Sequence, residues 1–193
     1  GLYAPGSSFK MIVALSALEM GIDPDATSTC NGGLRIGNHI FHCHKNDGHG
    51  EMTMKAAIRE SCDVYFYELS QKVGIEKIAQ TARDLGLGEK TLLDFPYEKQ
   101  GLIPDKTWKE INKKQSWKLF DTILSSIGQG YVLSTPIQLA QMTARIATGK
   151  RITPHILKQE NTTFPNLSIH EKHLDLIRES MNEIVKEEEQ KPE

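Results

Sequence analysis

Pro5-Gly6-Ser7-Ser8-Phe9-Lys10 leads into a run of eight uncharged residues, Met11 to Leu18. A Pro-Gly pair predicts a turn, and an apolar run of this kind predicts a helix that is buried on all sides. Ser7 and Lys10 are three residues apart, so a helix places both side chains on one face, within reach of each other. The segment therefore predicts a buried helix with a serine and a lysine at its entrance.

The Ser7–Lys10 pair has two interpretations at this point. In one, burial favours the neutral Lys10 amine, which then acts as the base for the Ser7 hydroxyl. The free N–H groups and the positive dipole end at the start of the helix would assist a nucleophile placed there. In the other, the spacing arises by chance and Lys10 extends its amine to solvent.

Length and charge exclude some function classes. The 193 residues suit one or two domains, and 23 basic against 25 acidic residues give no reason to expect nucleic acid as a partner. The sequence has no run approaching the roughly 18 apolar residues of a membrane span, and no visible signal peptide. Because the chain begins inside a motif and without Met, we expect an excised part of a longer protein.

Helix and turn signals alternate along the chain. Glycine and asparagine pairs in residues 22–50 predict turns between short strands at 34–36 and 39–43. Further strand signals lie at 152–157, and residues 187–193 form a charged tail that we expect to fray. Helices are predicted at 54–60 after a Thr53 cap, 64–73, 75–85, around Trp108, from Thr135 to Ala147, and after Ser168.

Ser61-Cys62-Asp63 interrupts the pattern between two predicted helices. A short break of this kind can aim side chains into a cleft. A serine followed two residues later by a carboxylate suits proton relay and substrate hydrogen bonding. An ordinary capping turn has the same composition, so the triplet alone leaves both interpretations open.

Taken together, these motifs resemble the superfamily of penicillin-binding proteins and serine β-lactamases. Residues 2–10 are similar to the nucleophile segment of class B penicillin-binding proteins, with Tyr3-Ala4-Pro5 where the family has Tyr-Pro-Pro. The resemblance is to the penicillin-binding protein 2 family and runs to about residue 157. The stretches that carry it are Gly48-His49-Gly50, residues 60–67, Ser126-Ile127-Gly128-Gln129-Gly130-Tyr131 and Thr135-Pro136-Ile137-Gln138-Leu139-Ala140.

The resemblance implies an α+β fold of the β-lactamase/transpeptidase type. Residues 1–186 would form a partial penicillin-binding transpeptidase domain, mainly its helical subdomain. The family's K-T/S-G motif is absent from this sequence, and in the family it lies on a strand of the central antiparallel sheet. We therefore expect most of that sheet to be missing, and this chain alone to be inactive in turnover.

The implied activity is that of a peptidoglycan D,D-transpeptidase of cell elongation, without a catalytic cofactor. Ser7 would attack the D-Ala-D-Ala carbonyl of a stem peptide, and penicillin and other β-lactams would acylate it in the same way. Lys10 would take the Ser7 proton, Ser61 would relay it, and Asp63 would orient Lys10 or the peptide. The resemblance also implies partners in the elongation machinery and a parent protein at the periplasmic face of the bacterial inner membrane.

Two other functions stay open. A D,D-carboxypeptidase or a β-lactamase would use the same acyl-enzyme and differ in whether water or an amine resolves it. The missing K-T/S-G motif would also suit a non-catalytic binding module organised by zinc.

The three cysteines fall within 33 residues, and with one histidine they form the pattern C-x12-C-x5-H-x12-C over Cys30, Cys43, His49 and Cys62. Three thiolates and one imidazole make a closed tetrahedral zinc set, so we predict a structural zinc. A Cys30–Cys43 disulfide and three core cysteines are the alternatives. His39, His42 and His44 rank lower as ligands, because strand alternation should point His42 and His44 away from Cys43.

Overall fold

The computed structural model describes residues 1–91, 97–157 and 162–189, with side chains described to residue 186. A short 3-10 helix, Gly6–Phe9, precedes the first α-helix. Within these ranges the helices are α1 (Lys10–Glu19), α2 (Met54–Arg59), α3 (Asp63–Val73), α4 (Ile75–Asp84), α5 (Lys106–Lys113), α6 (Leu119–Ser126), α7 (Pro136–Thr148) and α8 (Glu171–Glu189).

The strands of the described residues are short: β1 (Ser28–Cys30), β2 (Gly33–Ile36), β3 (His39–His42) and β4 (Gly50–Met52). They form two antiparallel two-stranded sheets, in which β1 pairs with β4 and β2 pairs with β3. The fold is thus mixed but mainly helical, as predicted for the helical subdomain.

The α1 helix lies at the centre of the molecule. Every residue from Lys10 to Leu18 is buried, and the helix packs against α3, α4 and α8. Its neighbours present apolar side chains to it, since Phe66 of α3, Ile78 of α4 and Leu174 of α8 are fully buried. The uncharged sequence of α1 therefore serves as the core around which the other helices assemble.

Both sheets belong to one segment between α1 and α2, residues 28–52, which we call the sheet excursion. In the sequence, the β2–β3 hairpin lies between β1 and β4. These two strands pair with each other so that Cys30 is opposite Gly50. The predicted strands at 34–36 and 39–43 are confirmed to within one residue, whereas β1 and β4 were not predicted. The excursion ends where Thr53 caps α2, its side chain accepting a hydrogen bond from the Ala56 N–H.

The predicted start of α7 is also confirmed. The Thr135 hydroxyl accepts a hydrogen bond from the Gln138 N–H at 3.3 Å, and the Gln138 side chain accepts one from the Thr135 N–H at 2.9 Å. This reciprocal pair satisfies two donors that the first turn leaves free, with Pro136 at N1.

Other predictions need correction or stay outside the described residues. The strand predicted at 152–157 is wrong: this segment has no strand, and the Arg145 and Gln141 side chains donate to the Ile152 carbonyl. Helix α6 was not predicted. The backbone of α8 continues to Glu189, past the predicted boundary at 186, and the rest of the charged tail lies outside the described residues.

Candidate active site

Ser7 lies in the 3-10 helix at the entrance to α1, where it is exposed. The turn before it is shaped by Gly6, which has φ +61° and donates its N–H to the Gly128 carbonyl at 3.1 Å. A Cβ on Gly128 would approach the Gly6 carbonyl oxygen to 2.3 Å, so only glycine fits there. The Gly128-Gln129-Gly130 stretch therefore supports the backbone that presents Ser7.

Lys10, the first residue of α1, is 3% exposed. Its Nζ donates to the Ser61 carbonyl at 2.7 Å, to the Ser61 Oγ at 3.0 Å and to Asp63 Oδ1 at 2.6 Å. Three acceptors, one of them a carboxylate, match the three donors of an ammonium group. The Ser61–Asp63 turn thus supplies every hydrogen-bond partner described for the Lys10 amine.

Ser61 occupies an unusual backbone position between α2 and α3. Its φ is +52°, in the left-handed region that favours glycine. The Ser61 N–H donates to the Ile58 carbonyl at 3.2 Å and the Cys62 N–H to the Ala57 carbonyl at 2.9 Å, which is a Schellman ending of α2. The motif turns the chain so that the carbonyl and the hydroxyl of Ser61 both reach Lys10.

Asp63 is the first residue of α3 and joins two parts of the molecule. Besides Lys10, its carboxylate accepts a hydrogen bond from the His44 N–H at 3.0 Å, and His44 Nδ1 lies 3.4 Å from Oδ2. A carboxylate at a helix N-terminus also interacts favourably with the helix dipole. Asp63 thereby connects the end of the β2–β3 hairpin to the lysine of α1.

These residues surround a cleft with a volume of about 610 Å³. Ser7, Ser61 and Asp63 line it together, and Tyr67 and Gln129 form part of its wall. The Tyr67 hydroxyl donates to the His42 carbonyl at 3.1 Å, so α3 holds the hairpin against the cleft. The volume is that of a typical small-molecule or peptide site.

The four predicted metal ligands come together beside this cleft. One donor atom from each of Cys30, Cys43, His49 and Cys62 lies within 4.8 Å of the others. All three cysteines are free thiols and buried, so the disulfide alternative does not match this structure. With Zn–S and Zn–N bonds of about 2.3 and 2.0 Å, ligand atoms around zinc lie slightly under 4 Å apart, and the cluster fits that size.

The protonation environment of the cluster is mixed. Burial raises the pKa of the Cys62 thiol. Burial also acts to raise the pKa of Cys30. The N–H groups of Gly32 and His49, together with the Cys62 and Cys43 thiols, outweigh it and hold that pKa below its usual value. Burial, with His44 nearby, lowers the pKa of His49 and so favours the neutral imidazole that a metal requires.

Of the histidines ranked lower, His44 alone comes near the thiol of Cys43 among the described contacts, with its Nδ1 3.9 Å from the Sγ. The prediction that His44 points away is wrong, because β3 ends at His42 and alternation does not continue beyond it. His39 packs instead against Phe41, with ring centroids 4.6 Å apart, and His42 lines the cleft.

The sequence matches the family described as "Penicillin binding protein transpeptidase domain" over residues 1–192. The chain belongs to this transpeptidase family. It is 40% identical over 169 residues to the peptidoglycan D,D-transpeptidase MrdA of Acinetobacter baumannii, covering 86% of this chain and 25% of that protein. The chain spans 31% of MrdA of Escherichia coli K12, to which it is 30% identical over 194 residues, covering 97% of this chain.

A solved structure of penicillin-binding protein 2 (PBP2) from Helicobacter pylori superposes with a TM-score of 0.91 at 39% identity, covering 97% of this chain and 36% of that one. A complex between PBP2 and MreC of the same organism gives 0.86 at 38% identity, covering 94% and 34%. The transpeptidase fold that the motifs implied is therefore confirmed.

Some functional features of this transpeptidase domain were missed from the sequence. The contacts of Tyr67 and His44 at the cleft were not predicted: Tyr67 entered only as part of a family stretch, and His44 only as a lower-ranked metal ligand. The glycines at 128 and 130 were recognised as a family motif, but the contact of Gly128 with Gly6 is visible only in three dimensions. No described helix combines the length and the apolar character that crossing a membrane requires.

Proposed function

We propose that this chain is the nucleophile-bearing part of a peptidoglycan D,D-transpeptidase of the penicillin-binding protein 2 type. The observation that carries the proposal is that Ser7, Ser61 and Asp63 line one cleft, while the buried Lys10 amine is hydrogen-bonded to Ser61 and Asp63. The names of the relatives support the reaction class.

The first chemical step is acylation of Ser7. Its Oγ attacks the carbonyl of the D-Ala-D-Ala bond of a stem peptide, the bond to the terminal D-Ala breaks, and an ester to Ser7 forms. The Ser7 proton must reach the departing amine. Lys10 and Ser61 are hydrogen-bonded to each other, so together they offer a route for that proton.

Lys10 can take the Ser7 proton only as a neutral amine. Asp63 lies 2.6 Å from the Lys10 Nζ and is placed to hold the lysine in position throughout the exchange. In the second step an amine of another stem peptide attacks the Ser7 ester, which releases the enzyme and forms the cross-link. Penicillin and other β-lactams would acylate Ser7 and block this step.

One donor for the developing oxyanion is the Ser7 N–H itself. In the family a second donor comes from the strand with the K-T/S-G motif, which this 193-residue sequence does not contain. Loss of one such donor typically costs about 10²–10³ in rate. We therefore expect slow acylation and no efficient cross-linking by this chain alone.

The Cys30–Cys43–His49–Cys62 cluster is proposed to hold one structural zinc. Four protein ligands would leave no position for water, so zinc bound there would contribute rigidity and not hydrolysis. Cys62 separates Ser61 from Asp63, and Cys43 precedes His44. The cluster is therefore placed to hold the sheet excursion against the turn that contacts Lys10.

A cellular setting follows from the same relationship. One neighbour is a complex of PBP2 with MreC, which supports the elongation machinery as the partner of the whole protein. The parent protein would act at the periplasmic face of the bacterial inner membrane, where stem peptides are cross-linked.

The acylation proposal is tested by intact-mass analysis after prolonged exposure to penicillin. We expect one adduct per chain, absent from Ser7→Ala. Ser8→Ala is the matched control, since Ser8 donates to the Pro5 carbonyl at 2.8 Å and does not line the cleft. An adduct that persists in Ser7→Ala, or that disappears in Ser8→Ala alone, contradicts the proposal.

A further inference from the structure

A second concave surface lies on α5 and the loop that joins it to α6. Residues 106–118 contain five lysines and one glutamate. Lys109 is buried and pairs with Asp121 at 2.6 Å. The other lysines are exposed, so this part of the molecule presents a concentrated positive charge: Lys106, Lys113, Lys114 and Lys118. We call these four the α5 basic surface.

Aromatic rings accompany the charge. The Nζ of Lys113 lies 5.9 Å from the ring centroid of Trp108 and 5.5 Å from that of Tyr131. The rings of Trp108 and Tyr131 are themselves 5.1 Å apart. Buried Lys109 lies 6.0 Å from the Trp117 ring. The surface therefore combines cations with partly exposed aromatic faces.

A cavity of about 420 Å³ opens in this surface, a volume within the range of ligand sites. The residues that line the cavity carry charged, amide, hydroxyl and indole groups: Lys106, Glu110, Lys114, Gln115, Ser116 and Trp117. The loop that forms it is held in place, because Trp117 Nε1 donates to Thr122 Oγ1 at 2.8 Å and the Lys118 N–H donates to Asp121 at 2.7 Å. The cavity is pre-formed, which lowers the cost of binding.

A short stretch of chain links the α5 basic surface to the cleft that holds Ser7. Tyr131, which contacts Lys113 and Trp108, is two residues from Gln129, and Gln129 lines the cleft. Two residues span no more than about 7 Å. A polymeric ligand bound on the α5 basic surface could therefore extend into the cleft that holds Ser7.

We propose that the α5 basic surface binds an anionic glycopeptide strand, away from the bond that reacts. The inference rests on the proposed function and adds a second contact region for its substrate. Carboxylates of the stem peptides would pair with the lysines, and sugar rings would lie on the indole face of Trp117. Gln115 and Ser116 offer hydrogen bonds to sugar hydroxyls. A pre-formed cavity favours a discrete ligand over a flat lipid surface.

The test is calorimetric titration of this chain with a soluble disaccharide-tetrapeptide fragment of peptidoglycan. Removing two charges in Lys106→Gln/Lys114→Gln should weaken binding by about three- to tenfold. The matched control is Lys72→Gln/Lys172→Gln, which removes two exposed lysines elsewhere and should leave binding unchanged. Neutral chitotetraose should bind more weakly than the acidic fragment, and added salt should weaken the acidic fragment only.

Three results would overturn the proposal: no binding of the fragment, equal binding by the Lys106/Lys114 variant, or comparable binding of a poly-glutamate peptide or of phosphatidylglycerol vesicles. The outcome is separable from that for acylation. Penicillin adduct formation should be unchanged in Lys106→Gln/Lys114→Gln, and fragment binding at this surface should persist in Ser7→Ala.

Discussion

The Lys10 side chain shows how a single buried charge is accommodated. Three oxygens from the Ser61–Asp63 turn surround its Nζ, so no donor is left unpaired. Removing one partner from a buried ion pair typically costs about 3–5 kcal/mol. The same contacts that stabilise Lys10 also fix the position of Ser61 and Asp63 at the cleft, so the proposed mechanism couples stability and catalysis at this residue.

Ser61 allows the two effects to be separated. An L-residue in the left-handed region costs about 1–2 kcal/mol, and glycine loses about 0.5–1 kcal/mol of backbone entropy. Ser61→Gly also leaves one Lys10 donor without the Ser61 Oγ, at a net cost of about 0.5–1.5 kcal/mol. Its denaturant midpoint should therefore change little. The substitution removes the hydroxyl, so penicillin acylation should fall by about 10²-fold or more. Unchanged acylation by a folded Ser61→Gly would show that the hydroxyl carries no proton.

At the scale of elements, Asp105 joins α4 to α5. Its carboxylate caps α5 through the Trp108 N–H at 2.7 Å and pairs with Arg83 at 2.6 Å. Burial acts to raise the pKa of Asp105, but the Trp108 N–H and the Arg83 guanidinium outweigh it and hold that pKa below its usual value.

Because the pKa of Asp105 is lower in the folded state, its stabilisation is complete above the unfolded pKa of about 3.9 and is lost as the pH falls through the folded value. Asp105→Asn should lower the free energy of unfolding at pH 7 by about 1 kcal/mol, since Arg83 is partly exposed and screened by solvent. Urea unfolding should show this difference shrinking below about pH 4. A difference that is constant between pH 3 and pH 7 would contradict the assignment.

Elements with local signals were predictable, and elements defined by tertiary contacts were not. The capping residues Thr53 and Thr135 predicted α2 and α7. Helix α6 has Lys118, an uncommon cap residue, at its N-cap. Its first turn is held by the Asp121 carboxylate, which also binds Lys109. Residues 152–157 have the composition of a strand, but the Gln141 and Arg145 side chains of α7 donate hydrogen bonds to the Ile152 carbonyl.

In the candidate active site, too, features with local sequence signals were predictable and those defined by tertiary contacts were not. The spacing of Ser7 and Lys10 and the Ser61–Asp63 triplet were sufficient to single out three residues that line one cleft, Ser7, Ser61 and Asp63, and Lys10, which is hydrogen-bonded to two of them. Their catalytic roles stay a prediction. The contact of the Lys10 amine with the Ser61 carbonyl was not predicted, because Ser61 lies 51 residues away in the sequence. The cysteine pattern predicted a four-residue cluster, although the sequence could not distinguish zinc from a disulfide.

At the scale of the whole molecule, the cysteine cluster brings Cys30, Cys43 and His49 of the sheet excursion next to Cys62 of the Ser61–Asp63 turn. Protein purified without chelator should contain about one zinc per chain, and binding should weaken in acid because the thiolates become protonated. Cys62→Ser should lower the thermal midpoint and slow acylation by about 10–100-fold, while the slow adduct still forms on Ser7.

Elemental analysis with thiol counting distinguishes bound zinc from a disulfide in this cluster. The zinc proposal fails if metal content is near zero and a Cys30–Cys43 disulfide is found with one free thiol. A matched variant is Met20→Ser, an exposed position at the end of α1, which should keep its metal and its acylation rate.

The central claim is that Lys10, held by Ser61 and Asp63, moves the proton during acylation of Ser7. The most direct measurement is the rate constant for labelling by a fluorescent penicillin in Lys10→Arg, since arginine keeps the charge but does not release its proton. The control is Lys109→Arg, a second buried lysine paired with a single carboxylate. With both variants shown to be folded, we predict about a 10²-fold or larger loss for Lys10→Arg and none for Lys109→Arg. Labelling of folded Lys10→Arg at the original rate would contradict the account.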